Sequence, residues 1–264
     1  MGYLKVILKG LWIGATMTVP GVSGGTMAVV TGIYEALIHA VAGLAREPRK
    51  HLPFLLCFVL GAGTGFLAFA GGITFLLQNP SSGEMTRFLF CGIVVGGIPL
   101  LVRKSGIKQI KPRYILWMFC GAAIVLLLSW VPRGTFSAEK GIQGIFLQAA
   151  GGFLTAVALI LPGISVSHML YILGLYEAVL GHIYAFQFVE LIPLMAGGVT
   201  GTFLTAGLLE RLLERYTAEV YMIIIGFASG SIVSLIPGTI SHPVMGTAMA
   251  GMGFLGMYLF SKRA

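Results

Sequence analysis

Residues 20–38 read P-G-V-S-G-G-T-M-A-V-V-T-G-I-Y-E-A-L-I, and residues 162–180 read P-G-I-S-V-S-H-M-L-Y-I-L-G-L-Y-E-A-V-L. Pro, Gly, Ser, Met, Gly, Tyr, Glu and Ala recur at the same places, 142 residues apart. Such a recurrence at about half the chain length indicates an internal duplication. In each copy proline, glycine and hydroxyl residues interrupt an apolar run, which is the pattern of a helix broken inside a membrane.

The composition around these two motifs sets the class of protein. The 264-residue chain is 57% hydrophobic and 10% charged, whereas soluble domains carry roughly 25% charged residues. Apolar runs of about 20 residues recur along the chain, which predicts an all-α polytopic membrane protein. The net charge of +8 comes from basic residues in short loops between spans. This distribution indicates topology signals and anionic lipid contact, and it argues against a nucleic acid partner.

The apolar runs divide the chain into two repeats inside a single membrane domain. The first repeat, residues 1–131, is predicted to hold a re-entrant hairpin at 4–42 and spans at 52–77, 87–102 and 114–131. The second, residues 141–264, is predicted to hold a hairpin at 142–182 and spans at 189–209, 218–236 and 243–260. Glycine pairs with three intervening residues also recur in both repeats, and they predict close helix-packing seams: Gly61 and Gly65, Gly197 and Gly201, Gly92 and Gly96, Gly226 and Gly230.

The basic residues predict how the chain is oriented. Residues 103–113 carry five Lys or Arg and no acid, so this segment is expected in the cytoplasm. Counting spans outward puts both termini and the segments 46–51 and 210–215 on the same side, and the segments 78–86, 132–140 and 181–188 outside. Each half then consists of a returning hairpin plus three spans. Because three spans carry the chain to the other side of the membrane, the second repeat begins on the side opposite to the first. It is therefore expected to have inverted topology.

The broken segments predict a binding site for an anion. Ser23 and Ser165 are natural N-caps for the helices that leave each break, and helix N-termini with free backbone N–H groups favour anions. The neighbouring residues fit this role, with glycines for close approach and side chains that donate hydrogen bonds: Gly24, Gly25, Thr26, Ser167 and His168. The alternatives are that both motifs only kink two long helices, and that His168 is a hydrogen-bonded packing residue.

Three further charged residues are candidates. Glu35 and Glu177 each lie 12 residues beyond a capping serine, or roughly 18 Å along a continuous helix. Each is expected near the membrane surface, as an interfacial anchor or as a gate or proton acceptor. Arg87 opens a span at the outer edge, where it either attracts an anion or extends its charge into the interface.

No motif indicates an enzyme, a metal site or a cofactor. The chain lacks the G-x-S-x-G, H-E-x-x-H and nucleotide-binding loop motifs, and it has no clustered acid pair. Cys57, Cys91 and Cys120 lie in apolar spans without metal-ligand spacing, as packing residues do. Without a nucleotide site, transport is expected to be passive or driven by a gradient.

The run G-A-T-M-T-V-P-G-V-S-G-G-T-M-A-V-V-T-G-I-Y-E at residues 14–35 resembles a bacterial integral-membrane family, and P-G-I-S-V-S-H at 162–168 supports the match. The family, once catalogued as a domain of unknown function, is that of the PopT-type polyprenyl-phosphate translocases. The resemblance covers essentially the whole chain. The second motif departs from the first, with Val166, Ser167 and His168 in place of Gly24, Gly25 and Thr26, so the two motifs need not bind equally well.

This resemblance implies a flippase of the bacterial plasma membrane whose partner is undecaprenyl phosphate. It would return the phosphate head from the outer to the cytoplasmic leaflet for reuse in cell-envelope polymer synthesis, with the prenyl tail in lipid. Proton coupling through His168, Glu35 or Glu177 would offset the membrane potential. Two alternatives stay open: a transporter of a small anion or other solute, and a membrane-embedded lipid phosphatase.

Overall fold

The computed structural model describes residues 2–19, 22–109, 111–132 and 142–263, and these residues form helices and short connections without strands. The helices of the first half are α1 Tyr3–Thr16, α2 Gly24–Val30, α3 Tyr34–Gly43, α4 Pro48–Gln78, α5 Pro80–Lys104 and α6 Pro112–Trp130. Those of the second half are α7 Ile142–Ile160, α8 Val166–Ile172, α9 Tyr176–Tyr184, α10 Ile192–Arg215, α11 Thr217–Leu235 and α12 Pro243–Arg263, with a short 3-10 helix, Phe188–Leu191, before α10.

The prediction of an all-α membrane protein is confirmed. Six helices of the described part of the chain, α4, α5, α6, α10, α11 and α12, are long and apolar enough to cross a membrane, and they correspond to the six predicted spans. Several extend beyond the predicted limits because their ends are polar. The segment 210–215, expected as a loop, is the last part of α10. The break at Pro20 and the loop at 133–140 lie outside the described residues.

The turn between α4 and α5 is much shorter than the sequence predicts. Residues 78–86 were expected to form a polar loop, but Asn79 alone separates the two helices. The Asn79 side chain accepts a hydrogen bond from the Ser81 backbone N–H at 3.2 Å, and Pro80 occupies the first helical position. The serine and threonine hydroxyls that follow bond to nearby backbone carbonyls, so a polar stretch remains helical.

Each broken motif contains a second bend that the sequence analysis missed. The chain turns by 116° between α2 and α3 and by 109° between α8 and α9. Gly32 and Gly174 sit at these bends with φ of +72° and +65°, a conformation that other residues rarely adopt. The continuous helix assumed between Ser23 and Glu35 is therefore wrong, and so is the distance of about 18 Å that followed from it.

The helix pairs follow the repeat. α1 packs along α4, and their counterparts α7 and α10 pack along each other. α5 packs along α12, and the counterparts of these two helices, α11 and α6, form the equivalent pair. α5 also contacts α11, its own counterpart. Each close helix pair thus has an equivalent pair that is formed by the counterpart helices.

Glycines form the seams of these helix pairs, as their spacing predicts. A Cβ atom on Gly65 would lie 2.0 Å from the Leu11 carbonyl oxygen, and one on Gly197 would lie 1.8 Å from that of Ala149. Cβ atoms on Gly92 and Gly226 would be equally close to backbone oxygens of the partner helices. Because lipid tails are as apolar as the side chains, close packing of this kind stabilises helix pairs in a membrane.

Contacts at one end of the molecule join the segments that the sequence assigns to the cytoplasm. His39 Nδ1 on α3 lies 2.5 Å from the Glu210 carboxylate on α10. The Arg103 guanidinium, at the end of α5, donates a hydrogen bond to the carbonyl of Ser261 near the C-terminus. The basic end of α5, the end of α10 and the C-terminal helix therefore lie on one side.

A different set of contacts forms the opposite end. Glu84, buried near the start of α5, accepts hydrogen bonds from the backbone N–H groups of Ser241 and His242 at 3.1 and 3.0 Å. These two residues precede α12. The carboxylate thus satisfies two donors of the connection between α11 and α12, and it ties that connection to the α4–α5 turn.

Candidate functional site

The first motif is packed inside the protein. Ser23 precedes α2 in extended geometry, as expected for an N-cap, but its side chain makes no capping hydrogen bond. Ser23, Gly25 and Thr26 are buried, and Val22 is the residue next to them that reaches the cavity described below. Residues around α2, including Met27 and Val30, belong to the largest apolar cluster of the described chain. This motif thus contributes mainly to packing.

The two motifs touch each other through polar contacts. The Thr26 hydroxyl oxygen accepts a hydrogen bond from the Gly163 backbone N–H at 2.7 Å. The Tyr34 hydroxyl donates to the Ile160 carbonyl at 2.9 Å, so both sides of the second break are held by the first hairpin. A Cβ on Gly25 would come within 3.1 Å of Pro162, which is why the backbones can approach here. The structure brings both predicted motifs together.

A cavity of about 670 Å³ opens beside the second motif. Its polar lining comes from Ser165, Ser167 and His168, from Arg87 on α5, from Thr18 after α1, and from Ser129 and Ser234 near the ends of α6 and α11, and Gly163 also lines it. Apolar and aromatic walls complete it: Met17, Val19, Val22, Phe66, Ala70, Val125, Leu128, Ile164, Tyr171 and Tyr176. The predicted site residues of the second motif and Arg87 thus share one cavity, and Ser23, Gly24, Gly25 and Thr26 do not line it.

The polar groups of the second motif are held in place by hydrogen bonds. Ser165 caps α8, since its hydroxyl oxygen accepts from the His168 backbone N–H at 3.5 Å, a long bond. His168 Nε2 lies 3.2 Å from the Leu128 carbonyl oxygen, so that this nitrogen carries the proton and donates it. The imidazole is thereby anchored to α6 at the edge of the cavity.

Arg87 supplies the positive charge of the cavity. Its side chain is partly buried, and within the described ranges no carboxylate lies at ion-pair distance from it. A guanidinium removed from bulk water without a carboxylate partner favours an anionic ligand that reaches it. With His168 and the serine hydroxyls, Arg87 can surround a head group that accepts several hydrogen bonds, as a phosphate does.

The two predicted glutamates lie apart from this arrangement. Glu35 forms an ion pair with Lys104 at 3.1 Å, near the basic end of α5, and neither residue lines the cavity. Glu177 is exposed at the start of α9, next to the cavity residue Tyr176. Their role as gates or proton acceptors stays a prediction. Among the described residues no three His, Cys, Asp or Glu side chains are grouped as a metal site requires.

Some cavity residues were missed in the sequence. Tyr171 and Tyr176 stack with ring centroids 3.9 Å apart, and Tyr176 directly precedes Glu177, for which the sequence suggests an interfacial anchor or a gate. Ser129 and Ser234 are hydroxyl residues near the ends of apolar spans, which is a signal too common to single them out. Their role depends on which helices meet, and α6 and α11 do meet here.

Comparisons with known proteins show the family of the chain. Residues 13–250 match the model of the VCA0040-like, undecaprenyl phosphate translocase-like family. The chain belongs to this family. A polyprenyl-phosphate transporter of Vibrio cholerae is 30% identical over 253 residues, which cover 90% of this chain and 79% of the relative. One of Staphylococcus aureus is 28% identical over 251 residues, covering 90% and 88%. No solved structure matches the chain. The family match includes both broken motifs and every residue that lines the cavity.

Proposed function

We propose that this protein is a flippase that returns undecaprenyl phosphate from the outer to the cytoplasmic leaflet, for reuse in cell-envelope polymer synthesis. The family and the relatives named polyprenyl-phosphate transporters support this substrate. The observation that carries the proposal is the cavity that Arg87 lines together with Ser165, Ser167 and His168. Its polar groups bind the phosphate head, and no residue acts as a catalyst.

The chemistry of the substrate fits the composition of the cavity walls. A phosphate monoester carries about −1.5 to −2 charges at neutral pH, and such a charge does not cross hydrocarbon unaided. The apolar prenyl tail can stay in the lipid bilayer, so the protein has to provide a polar path for the head alone. Phe66 and Ala70 of α4 and Met17 after α1 give the cavity apolar walls against which the first prenyl units pack.

We further propose inverted repeats in the bacterial plasma membrane, with both termini in the cytoplasm. The exchange of helix pairs between the repeats supports this arrangement, as do the basic segments gathered at one end. Arg87 lies about one helical turn beyond the buried Glu84, which belongs to the opposite end. The cavity is therefore assigned to the outer half of the membrane, where an outer-leaflet head group arrives.

Inward return of an anion works against a negative-inside potential, at about 2.3 kcal/mol per charge per 100 mV. A proton carried with the head group offsets part of this cost. His168 is the candidate carrier because it lies at the cavity and histidine changes its charge between about pH 5 and 8. Glu35 and Glu177 are the other candidates, and the ion pair of Glu35 with Lys104 makes it the less available of the two.

The test is head-group movement of a polyprenyl phosphate in liposomes that contain the purified protein. Arg87→Gln is expected to slow capture by about tenfold or more, because hydrogen bonds to charged groups contribute about 1.5–3 kcal/mol. Arg49→Gln, an exposed arginine of α4, is the matched control. His168→Gln keeps a donor for the Leu128 carbonyl and is expected to flatten the dependence on external pH.

Four outcomes would contradict parts of this proposal. Wild-type rates in Arg87→Gln would remove the cavity from the transport path. Identical pH profiles in wild type and His168→Gln would leave Glu35 and Glu177 as proton carriers. Full inhibition by millimolar inorganic phosphate, with uptake of that ion, would identify a transporter of small anions, and release of free phosphate from the lipid would identify a phosphatase.

A further inference from the structure

A second opening lies on another face of the molecule, between α1, α5 and α12. This groove has a volume of about 510 Å³ and is lined almost wholly by apolar side chains: Leu8, Trp12, Leu89, Ile93, Met252, Met257 and Phe260. Gly253 and Gly256 of α12 form its floor, and Lys9 and Thr31 are its polar members. None of its residues lines the cavity described above.

The groove runs from the basic end of the molecule toward the middle of the membrane. Phe260 precedes Ser261, whose carbonyl accepts a hydrogen bond from Arg103 in the basic segment 103–113. Leu89 marks the other end of the groove and lies 14 residues before Arg103 in α5. From Met252 to Phe260 the axis of α12 rises by roughly 12 Å. The length and apolar lining of the groove therefore suit one extended apolar chain that enters from the basic end.

Positive charge gathers where the groove begins. Lys9 donates a hydrogen bond to the Thr31 carbonyl at 2.7 Å, and the ammonium groups of Lys5 and Lys104 lie close enough to repel that of Lys9. Glu35, paired with Lys104, is the one carboxylate that forms an ion pair with any of these lysines in the described chain. Three ammonium groups against one carboxylate leave two positive charges unbalanced.

We infer that the groove is a second site for a single-chain phosphate lipid, with the phosphate at Lys9 and the chain along α12 on the cytoplasmic side. This inference rests on the proposed function, since it assigns the same polyprenyl phosphate to the site where it arrives after transport. A phosphate monoester of about −1.5 to −2 charges balances the two free positive charges better than the single charge of a phosphodiester lipid. The room for one chain also favours a prenyl lipid over a two-chain phospholipid.

The position of α2 connects the two sites. Val22, just before α2, lines the cavity, and Thr31, just after it, lines the groove. α2 is seven residues long, or roughly 10 Å. The head group would pass along this one short helix between the outer cavity and the groove.

The test uses the full-length protein in liposomes with a photoactivatable single-chain prenyl phosphate, and it locates the cross-linked peptides by mass spectrometry. In wild type, cross-links are expected on α12 around residues 252–260 and near the cavity at 163–171. Lys9→Gln is expected to reduce the α12 cross-links by about tenfold, since it removes a charge-assisted hydrogen bond to phosphate. Lys108→Gln removes an exposed positive charge from the basic segment and serves as its control.

A second variant keeps the test valid if Lys9→Gln disturbs the bend at Thr31. A Cβ on Gly256 meets nothing within 4 Å, so Gly256→Leu fits the fold and fills the groove. Gly251 is equally open, lies on the same helix and does not line the groove, so Gly251→Leu is the matched control. The α12 cross-links should fall in Gly256→Leu and persist in Gly251→Leu.

Two results would overturn the inference alone. One is α12 labelling unchanged in Lys9→Gln and Gly256→Leu, and the other is equal competition by phosphatidylglycerol, which would make the groove a general lipid contact. In both cases the cross-links at 163–171 persist, so the proposed function stands. If the wild-type protein showed no cross-links at either 252–260 or 163–171, the proposed function would be overturned as well.

Discussion

Equivalent residues of the two motifs have taken different roles. Thr26 and His168 occupy the same position in the repeat, yet Thr26 is buried and accepts the Gly163 N–H, whereas His168 lines the cavity. The capping serines differ in the same way, because Ser165 caps its helix through its side chain and Ser23 does not. One small hydroxyl residue therefore holds the second break in place, and the larger imidazole lines the cavity.

Thr26→Val tests this structural role. Valine has nearly the same shape but accepts no hydrogen bond, so the buried Gly163 N–H would lose its partner at a cost of about 1–3 kcal/mol. The thermal unfolding midpoint in detergent is expected to fall, and Thr26→Ser is expected to restore most of it. Thr247→Val, which removes an exposed hydroxyl bonded within α12, is the control. A midpoint in Thr26→Val equal to that of the control would mean that the contact contributes nothing.

At the scale of elements, the two hairpins differ in how firmly their bends are held. The bend of the first hairpin is bonded by Lys9 at Thr31 and followed at once by Tyr34 and Glu35, which bond the Ile160 carbonyl and Lys104. In the second hairpin, Gly151 stands at the position of Lys9, Tyr176 stacks on Tyr171, and Glu177 is exposed. The first hairpin is thus anchored to its surroundings, and the second borders the cavity.

The α1–α4 seam gives a direct test of the packing between elements. Gly65→Leu is expected to destabilise the protein by about 1–3 kcal/mol or more, because even a Cβ at this position would overlap the Leu11 carbonyl. Gly71→Leu, on the same helix, meets open space and should stay within about 0.5 kcal/mol of wild type. The measurement is the thermal midpoint of each variant in detergent. Equal midpoints for the two variants would contradict the seam.

At the scale of the whole molecule, the contacts divide the connections between two ends. His39 and Glu210 meet at one end, and Glu84 holds Ser241 and His242 at the other. The basic segments that predict the cytoplasmic side all belong to the first end. The contacts therefore gather at one end the segments that the basic residues assign to one side, and which side that is stays a prediction.

Accessibility labelling tests this assignment in a background with Cys57, Cys91 and Cys120 replaced by alanine. Single cysteines at Arg46 and Lys108 are expected to react only from the cytoplasm. Those at Ala185 and Thr239 are expected to react only from outside. All four side chains are exposed, so failure to react from one side reports the membrane and not burial. Reaction of the Arg46 and Ala185 positions from the same side would exclude inverted hairpins.

Much of this architecture follows from the sequence because apolar length and glycine spacing are local signals. The six spans and the seam glycines were found in this way, and Ser165, Ser167, His168 and Arg87 do meet in one cavity. The bends at Gly32 and Gly174 were missed, because an isolated glycine in an apolar run is compatible with a straight helix. The one-residue turn at Asn79 was missed because a polar stretch was taken for a loop.

The lining of the cavity could not be fully predicted, because it depends on contacts between distant segments. Ser129 and Ser234 reach it only because α6 packs along α11. The burial of Thr26 depends on Gly163, 137 residues away in the sequence. Neither arrangement can be predicted from residues that are close together in the sequence.

The unequal anchoring of the two hairpins has a consequence for protein engineering. Replacing side chains of the second hairpin alters the surface that a ligand meets and leaves the buried Thr26 and Tyr34 contacts of the first hairpin in place. Libraries aimed at new lipid carriers, with other head groups or shorter chains, are therefore best directed at Ser165, Ser167, His168 and Tyr171. The first motif is then left as an unchanged scaffold for every variant.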